Sequence, residues 1–345
     1  MKTYLVSIIS EHLLPNYLFI KEMEGKYDDL IFITTSEMIQ KANFLEDVLK
    51  SDQMISINRI EVLEDQFQNI QKQLNEYGFT DSDNFIVNLT GGTKIMSLSC
   101  FNYFSKFKNS SFYYIPVKKN IIINVLTSEE MNLNYRINLM NYLKLYGLKA
   151  DPKKELYQSS EYTKELFKRY KNGNFNRKNV PELNRKYTDD YAQKYYEGEW
   201  FEEYVYQRVK EEQQLEEDKI CTGVQLYREN SGSLTDNEID IMFVKENQLY
   251  VGECKMSLNP KFSPEMTKYE KEREMKSNLE NYMYKLAAIS NDFGIVVYPY
   301  IFTLHWTRLL YSSPERKKII EKRMKILKIK KILSSESFEK DKLEL

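Results

Sequence analysis

The sequence predicts an α/β protein of two domains joined by a linker. Its 345 residues exceed what one ordinary hydrophobic core needs, and they fit two domains of roughly 150 residues each. The first half alternates short β-rich runs with amphipathic segments, and the second half contains two strand-like runs separated by a charged turn. We therefore expect domains at 1–145 and 196–345, with a polar linker at 146–195.

The composition is that of a globular protein without a dominant charge. Hydrophobic residues make up 42% of the chain, and 50 Lys and Arg stand against 51 Asp and Glu, so net charge indicates no polyanion partner. The three cysteines form no C-x-x-C pair, which argues against a disulfide framework and a thiolate zinc site. We expect a cytoplasmic protein, and we expect no membrane partner because every apolar run is too short to span a bilayer.

The first half has a β-α-β-α order. The β-rich runs lie at about 3–10, 29–35, 54–60, 84–90 and 111–117. The amphipathic segments lie at about 15–25, 36–50, 64–77 and 93–107. This order is typical of a mainly parallel sheet covered by helices, which binds ligands at the carboxyl ends of its strands.

The fourth predicted strand runs through Asn88 into a glycine-rich turn and then into a helix. We call residues 90–94 the glycine turn; they are Thr90, Gly91, Gly92, Thr93 and Lys94. Glycine permits close approach of a ligand to the backbone, the helix start attracts an anion, and Lys94 adds a positive charge. Neither dinucleotide-binding nor P-loop spacing is present. A tight turn with a solvated lysine is the alternative interpretation.

Small polar residues follow two other predicted strands. Ser10 follows the first strand, and Thr34, Thr35 and Ser36 follow the second. Because the carboxyl ends of parallel strands meet at one edge of a sheet, these residues and the glycine turn predict a pocket. His12 lies near the same edge, although a lone histidine is more often a loop residue than a ligand.

The segment from Asn88 to Lys94, together with Ser10 through Asn16, resembles the CARF domains that sense cyclic oligoadenylates in type III CRISPR defence. The resemblance covers roughly the first 145 residues and implies a Rossmann-like fold. It also implies a homodimer in which two such domains share one cyclic oligoadenylate, with cyclic tetra-adenylate as the first choice. The implied ligand-binding residues are Ser10, Asn16, Thr35, Ser36, Asn88, Thr90, Gly91, Gly92, Thr93 and Lys94.

An acidic helix is predicted at the start of the second domain. Glu202 shares a helical face with Val205 and Val209, so we expect it to point inward, whereas Glu203 shares a face with Gln207 and Lys210 and should be solvated. An inward acid needs a partner. Glu202 is therefore the candidate site residue on this helix, with a structural ion pair as the alternative.

The two strand-like runs, at 239–244 and 248–255, predict a β-hairpin. A turn centred between them sets Asp240 directly opposite Glu253, and Lys255 projects from the same face. Opposed carboxylates destabilise a sheet unless a cation compensates them. This pair and the backbone carbonyl of Cys254 offer oxygen ligands suited to Mg²⁺ or Mn²⁺.

These residue types suit metal-dependent hydrolysis of phosphodiesters. The metal would activate a water molecule, and Lys255 could orient that water or neutralise charge that develops in the transition state. A D-x(n)-E-x-K string can also arise by chance in a charge-rich chain. Against chance stand the hairpin register and the apolar residues that flank the acids.

The pattern Asp240…Glu253-Cys254-Lys255, preceded by an acidic helix, resembles the PD-(D/E)xK superfamily of restriction-endonuclease-like nucleases. The chain lacks the proline before Asp240, a position at which that family is loose. The resemblance implies an α/β domain with a mixed sheet, in which Asp240, Glu253 and Lys255 bind metal and activate water. Glu202 is the further catalytic candidate, because it could help to hold the metal or its water from the neighbouring helix. It also implies a helix at about 268–290 with Lys285 in reach of substrate phosphate.

The order of the two domains resembles the CARF-domain CRISPR ancillary nucleases. That resemblance implies an endonuclease that cuts DNA or RNA for antiviral defence when a cyclic oligoadenylate binds. The alternatives are a restriction- or repair-type endonuclease regulated by another nucleotide, and a non-catalytic regulator that binds the same ligand. The basic stretch from about 315 to Lys331 is expected to be a solvated helix with an apolar seam, and a nucleic-acid-facing helix is the alternative.

Overall fold

The chain folds into two compact units, Met1–Lys149 and Ala150–Leu345, each with its own sheet. The computed structural model describes residues 1–52, 55–152, 156–175, 194–228, 237–258, 263–294, 296–305, 314–340 and 342–345. None of the helices in these ranges combines the length and apolar character that crossing a bilayer requires.

The first unit is a seven-stranded sheet covered by helices. Its elements are β1 (Thr3–Ile8), α1 (Leu14–Glu22), β2 (Asp29–Thr34), α2 (Ile39–Asp52), β3 (Ile57–Glu61), α3 (Phe67–Glu76), β4 (Asn84–Asn88), α4 (Lys94–Phe104), β5 (Ser110–Tyr114), β6 (Ile121–Asn124), β7 (Glu130–Asn132) and α5 (Leu139–Leu145). The strand order is β3-β2-β1-β4-β5-β6-β7. Strands β1 to β5 pair in parallel and the last two pairs are antiparallel, which confirms the mainly parallel sheet.

The five strands and four helices expected in the first half are all present. Strands β1 and β2 are apolar on both faces because helices cover the sheet on each side, and their central residues are fully buried. Three elements were not expected, namely β6, β7 and α5. Each is only three to seven residues long, too short to show a periodic pattern.

The second unit is a six-stranded mixed sheet with helices. Its elements are β8 (Leu148–Asp151), α6 (Ser160–Lys171), α7 (Trp200–Gln213), β9 (Ile220–Arg228), β10 (Asn237–Lys245), β11 (Gln248–Ser257), α8 (Lys268–Ser290), β12 (Val297–His305), α9 (Pro314–Ile326), β13 (Lys331–Leu333) and α10 (Ser335–Phe338). The strand order is β13-β12-β11-β10-β9-β8. Strands β9, β10 and β11 are antiparallel, and β11, β12 and β13 are parallel, as expected for a mixed sheet.

The predicted hairpin is formed by β10 and β11. Val244 lies opposite Leu249, and the turn residues Glu246 and Asn247 both have positive φ, at 50° and 60°. Two consecutive left-handed residues make the type of turn that matches the twist of a two-stranded ribbon. The register runs to Ile241 opposite Gly252, and Asp240 and Glu253 are the next residues on the two strands.

Part of the predicted linker packs into the core of the second unit. Helix α6 places Leu166 and Phe167 in the same hydrophobic cluster as Trp200 and Tyr204 of α7. The ring of Phe167 stacks on that of Tyr204 with 4.7 Å between centroids. Residues 176–193 of the predicted linker lie outside the described ranges.

Candidate active site and glycine turn

Asp240, Glu253 and Lys255 meet at the middle of the mixed sheet. Lys255 Nζ lies 2.8 Å from Glu253 Oε1 and 3.2 Å from Asp240 Oδ2. The carboxylates are buried, with only 7% of Asp240 and 3% of Glu253 exposed. The backbone N–H of Cys254 donates to Asp240 Oδ2 at 2.6 Å, which fixes that carboxylate against β11. The structure thus brings together the three residues that the hairpin register predicted.

Burial and close charges set the protonation of this cluster. Burial raises the pKa of the Asp240 carboxyl to about 6; the charge of Lys255 opposes this rise and that of Glu253 adds to it. For Lys255, burial lowers the pKa, but the two carboxylates outweigh it and raise the pKa above its ordinary value. Lys255 therefore stays a cation.

Helix α8 adds a second cation. Lys285 Nζ lies 3.2 Å and 3.4 Å from the two oxygens of Glu253, so this carboxylate is held by two lysines. One turn earlier, the ring of Tyr282 lies 5.6 Å from Lys255 Nζ. Sequence reasoning missed Tyr282, although its spacing of three residues from Lys285 places both on one face of the helix.

The acidic helix α7 differs from the prediction. Glu203, expected in solvent, is fully buried and accepts hydrogen bonds from Tyr157 N at 2.6 Å and the Tyr195 hydroxyl at 2.9 Å. Glu202 is half-buried and lines the cleft beside Asp240. The helical-face argument was wrong for Glu203 because it assumed one covered face, whereas α6 and the sheet cover α7 on two sides.

A cleft of about 630 Å³ opens at this cluster. We call it the carboxylate cleft; its charged lining residues are Asp151, Glu199, Glu202, Glu238, Asp240, Lys255 and Lys285. Glu199 ends a single π-helical turn, Tyr195–Glu199, of the kind often found at functional sites. Sequence reasoning missed Glu199 and Glu238, since neither a π-turn nor a cleft wall leaves a periodic signal.

The donor set fits a hard divalent cation. Asp240, Glu253 and the carbonyl of Cys254 are oxygen donors, and Lys255 contacts all three. Mg²⁺ commonly binds through one or two carboxylates and completes its shell with water and substrate phosphate. Within the described ranges, no group of three or more His, Cys, Asp and Glu side chains is placed to hold a metal. Asp240 and Glu253 are therefore the two side-chain ligands that the described part of this site offers.

Cys254 contributes its backbone, not its thiol. Its side chain is buried, and burial together with the nearby charge of Asp240 raises the pKa of the thiol well above its ordinary value. Burial also raises the pKa of Cys100 to about 12 and that of Cys221 to about 11. All three thiols are free and protonated.

In the first unit, the glycine turn packs tightly on β1. A Cβ at Gly91 would lie 2.0 Å from the carbonyl oxygen of Ile8, and Gly92 has a φ of 73°. Thr93 caps helix α4, because Met96 N donates to its hydroxyl at 3.3 Å. Lys94 is exposed at the first turn of that helix. Close packing and positive φ therefore both require glycine here.

The predicted ligand residues divide by exposure. Asn16 and Asn88 are buried, and both donate to the hydroxyl of Ser7, which the sequence analysis did not single out. Thr90 donates to Asn88 Oδ1 at 2.6 Å and so ties the turn to this network. Thr35 is buried as well; Ser10, Thr90 and Thr93 are half-buried, and Ser36, Gly92 and Lys94 are exposed.

Comparisons with protein-family models agree with the division of the chain into two units. The family model described as Card1 CARF domain matches residues 4–142, and that of the Card1-like endonuclease domain matches residues 189–334. A search of the curated proteins finds no match.

Solved structures of similar fold include protein VC1899 from Vibrio cholerae, with a TM-score of 0.74, 16% identity and coverage of 97% of this chain and 94% of that chain. Another is Can2 from Sulfobacillus thermosulfidooxidans in complex with cyclic tetra-adenylate, with a TM-score of 0.67, 20% identity and coverage of 96% and 95%. A third is a type III CRISPR defence DNA nuclease activated by cyclic oligoadenylate, with a TM-score of 0.59, 15% identity and coverage of 89% and 46%.

These structural likenesses show a shared fold, and the family models assign the domains. The Card1 CARF match falls within the first unit and the Card1-like endonuclease match within the second. The chain therefore belongs to the CARF-domain CRISPR ancillary nucleases, with a CARF domain followed by an endonuclease domain.

Proposed function

We propose that the protein is a metal-dependent endonuclease of type III CRISPR defence that a cyclic oligoadenylate activates through its CARF domain. One observation carries the proposal. Asp240, Glu253 and Lys255 share the carboxylate cleft of a unit whose family is an endonuclease, and the same chain carries a CARF domain. As a defence nuclease it would act in the cytoplasm.

The residues of the cleft suit hydrolysis of a phosphodiester. Lys255 is held as a cation by two carboxylates, so it can orient the attacking water and neutralise charge on the phosphate but cannot serve as a base. Lys285 has 37% of its side chain exposed and can reach a substrate phosphate while it contacts Glu253. Glu202, on the cleft wall, can hold a water molecule near Asp240.

Asp240, Glu253 and the carbonyl of Cys254 would hold Mn²⁺ or Mg²⁺. When bound, the metal would polarise the phosphoryl oxygen and lower the pKa of a coordinated water molecule. Burial raises the pKa of Asp240 although the charge of Lys255 opposes the rise, so a bound cation would offset part of the cost of ionising this carboxylate. The substrate would be DNA, RNA or both.

For the CARF domain, we propose that the glycine turn and the start of α4 bind the backbone of the cyclic oligoadenylate. The exposed groups at this edge, Ser36, Gly92 and Lys94, are placed for direct contact, while Asn16 and Asn88 support the turn from below. Can2 was solved with cyclic tetra-adenylate, which makes that ring the first candidate. Two copies of the chain would share one ligand as a homodimer.

Cleavage assays on purified protein test the proposal. Single-stranded RNA, single-stranded DNA and plasmid are incubated with Mn²⁺, with and without cyclic tetra-adenylate. We expect cutting only when Mn²⁺ and cyclic tetra-adenylate are both present. We also expect cutting to be lost in EDTA and in the Glu253→Ala variant. Glu217→Ala is the control, since Glu217 is an exposed carboxylate of the same unit that pairs with Lys210.

The outcomes separate the two halves of the proposal. Cutting that ignores every cyclic oligoadenylate would keep the nuclease and remove the sensor, leaving an endonuclease regulated by another nucleotide. Ligand binding without any cutting would leave a regulator. Full cutting by Glu253→Ala would show that the carboxylate cleft is not the active site.

A further inference from the structure

The second unit carries a groove that the carboxylate cleft does not include. Helices α8 and α9 enclose about 290 Å³ between them. Tyr269, Arg273 and Lys276 of α8 form one wall, and Arg316 and Ile319 of α9 form the other. We call this space the helical groove.

Ion pairs fix α9 along α8. Arg316 lies 2.7 Å from Glu272, and Arg323 lies 3.5 Å from Glu280. Arg323 also donates to the hydroxyl of Tyr284, whose ring lies 5.9 Å from its guanidinium carbon. The pairs follow the two helices in the same order, so the cations of α9 lie in a row beside the tyrosines of α8.

The groove combines positive charge with exposed aromatic rings. Helix α9, PERKKIIEKRMKI, has six Lys or Arg against two Glu. Tyr269, which lines the groove, is 72% exposed, and Tyr284, which lies farther along α8 outside the groove, is 47% exposed. Exposed rings among cations form the kind of surface on which the bases of a single strand stack.

The groove continues the active site along one helix. Helix α8 presents Lys285 to Glu253 near its carboxyl end and Tyr269 at its amino end. A rise of 1.5 Å and a turn of about 100° per residue put these two residues about 24 Å apart along the axis and on different faces of α8, with Tyr284 between them. A strand whose phosphate lies at Lys285 would therefore pass around α8 by Tyr284 and Arg323 to reach Tyr269.

We propose that the helical groove binds the single-stranded part of the nucleic-acid substrate that flanks the bond to be cut. Arg316 and Lys276 contact its phosphates, and Tyr269 and Tyr284 stack on its bases. This inference rests on the proposed nuclease function. It adds a surface that binds the substrate at a distance from the bond that is cut. It assigns to α9 the nucleic-acid-facing alternative that its basic sequence allowed.

Fluorescence anisotropy with a labelled oligothymidine and a labelled oligouridine of about 20 nucleotides tests the groove. The full chain is used with cyclic tetra-adenylate and EDTA, so that binding is measured without cutting. We expect Tyr269→Ala to weaken binding about 5-fold or more, because loss of a stacked base has that effect. Tyr269→Phe keeps the ring and should bind like the wild type.

The charge contribution has its own matched control. Arg316→Ala should weaken binding to both oligonucleotides and reduce the slope of log affinity against log salt by about 1. Lys164→Ala should change neither quantity. Lys164 matches Arg316 closely: 40% and 44% of the side chains are exposed, and the ion pairs to Glu211 and Glu272 measure 2.8 Å and 2.7 Å.

Binding and cutting fail in different ways. If the groove variants bound both oligonucleotides like the wild type, the assignment of the groove as a binding surface would be overturned, and the proposed nuclease function would be unaffected. A wild type that binds but never cuts with Mn²⁺ would remove the proposed function and keep the groove. Binding to duplex alone, or to no nucleic acid, would overturn the inference. Circular dichroism confirms that each variant is folded.

Discussion

At the scale of residues, the carboxylate cleft contains two buried carboxylates that contact one ammonium group. Asp240 and Glu253 are nearly inaccessible, and the ammonium of Lys255 lies between them. Removing one member of such a cluster leaves its partners desolvated and uncompensated, which costs more than the intact pair contributes. Lys255 therefore has a structural role besides the chemical role that we propose for it, and the two can be measured separately.

Lys255→Met should reduce cutting roughly 100-fold or more, as loss of a group that stabilises transition-state charge does. In EDTA it should also lower the free energy of unfolding by about 1–3 kcal/mol, because two buried acceptors lose a charged donor. Urea unfolding and cleavage assays measure the two effects. Lys164→Met is the control, and full activity of Lys255→Met would remove Lys255 from the chemistry.

Glu202 and Glu203 are neighbours with opposite expected roles. Glu203→Gln should lower the free energy of unfolding by about 1–3 kcal/mol, since its buried carboxylate accepts two hydrogen bonds. Glu202→Gln should change stability by less than about 0.5 kcal/mol. It should nevertheless reduce cutting.

Denaturant unfolding and cleavage of the two variants, made side by side, measure this contrast. The reverse pattern, with Glu202 needed for stability and Glu203 for cutting, would show that the assignment of the two acids is wrong.

At the scale of elements, strand β11 has a glycine at position 252, next to Glu253, where its neighbours leave no room for a side chain. A Cβ at Gly252 would lie 2.5 Å from Ile241 Cγ2 and 2.5 Å from Phe302 Cε2. Side chains of β10 and β12 therefore close on β11 at Gly252, on the face opposite to the Glu253 side chain, and they hold the backbone that carries this carboxylate. Glycine in a strand interior is otherwise unfavourable, so its presence here reflects this close approach.

Gly252→Ala should destabilise the second unit by about 1–3 kcal/mol through overpacking and should reduce cutting by displacing Glu253. The matched control is Gly198→Ala in the π-helical turn, where a Cβ would meet no atom within 4 Å. That change should stabilise the protein by about 0.5–1 kcal/mol. Thermal unfolding gives both signs, and a neutral Gly252→Ala would contradict the close packing.

At the scale of the whole molecule, two units with separate sheets imply two ligand-linked stabilities. A ligand raises the stability of the unit that it binds, by about 2.7 kcal/mol at a concentration 100 times its Kd. We expect calorimetry of the full chain to show that cyclic tetra-adenylate stabilises one transition and Mn²⁺ the other.

Two variants assign these transitions. Gly91→Val, whose side chain would collide with Ile8, should abolish the first shift, and Glu253→Ala should abolish the second. If both ligands shifted the same single transition, the two units would not unfold as separate cooperative bodies.

The sequence was sufficient where a local pattern determines position. Hairpin periodicity placed Asp240 opposite Glu253, and alternating strands and helices gave the mainly parallel sheet. It was insufficient where a distant element decides. Glu203 is buried because α6, in a segment that read as a polar linker, covers α7. Tyr282 and Lys285 share one face of α8 by their spacing, but only the packing of α8 beside β11 brings that face to the site.

The state of the cysteines has a consequence for labelling experiments. A thiol reacts with maleimides as the thiolate, and burial that raises a thiol pKa suppresses this form. Cys100 and Cys254 are buried and the pKa of Cys221 is raised to about 11, so the natural chain should react slowly. Fluorophores or spin labels can therefore be attached to engineered surface cysteines in the otherwise native chain, and the distance between the two units can be followed as a ligand is added.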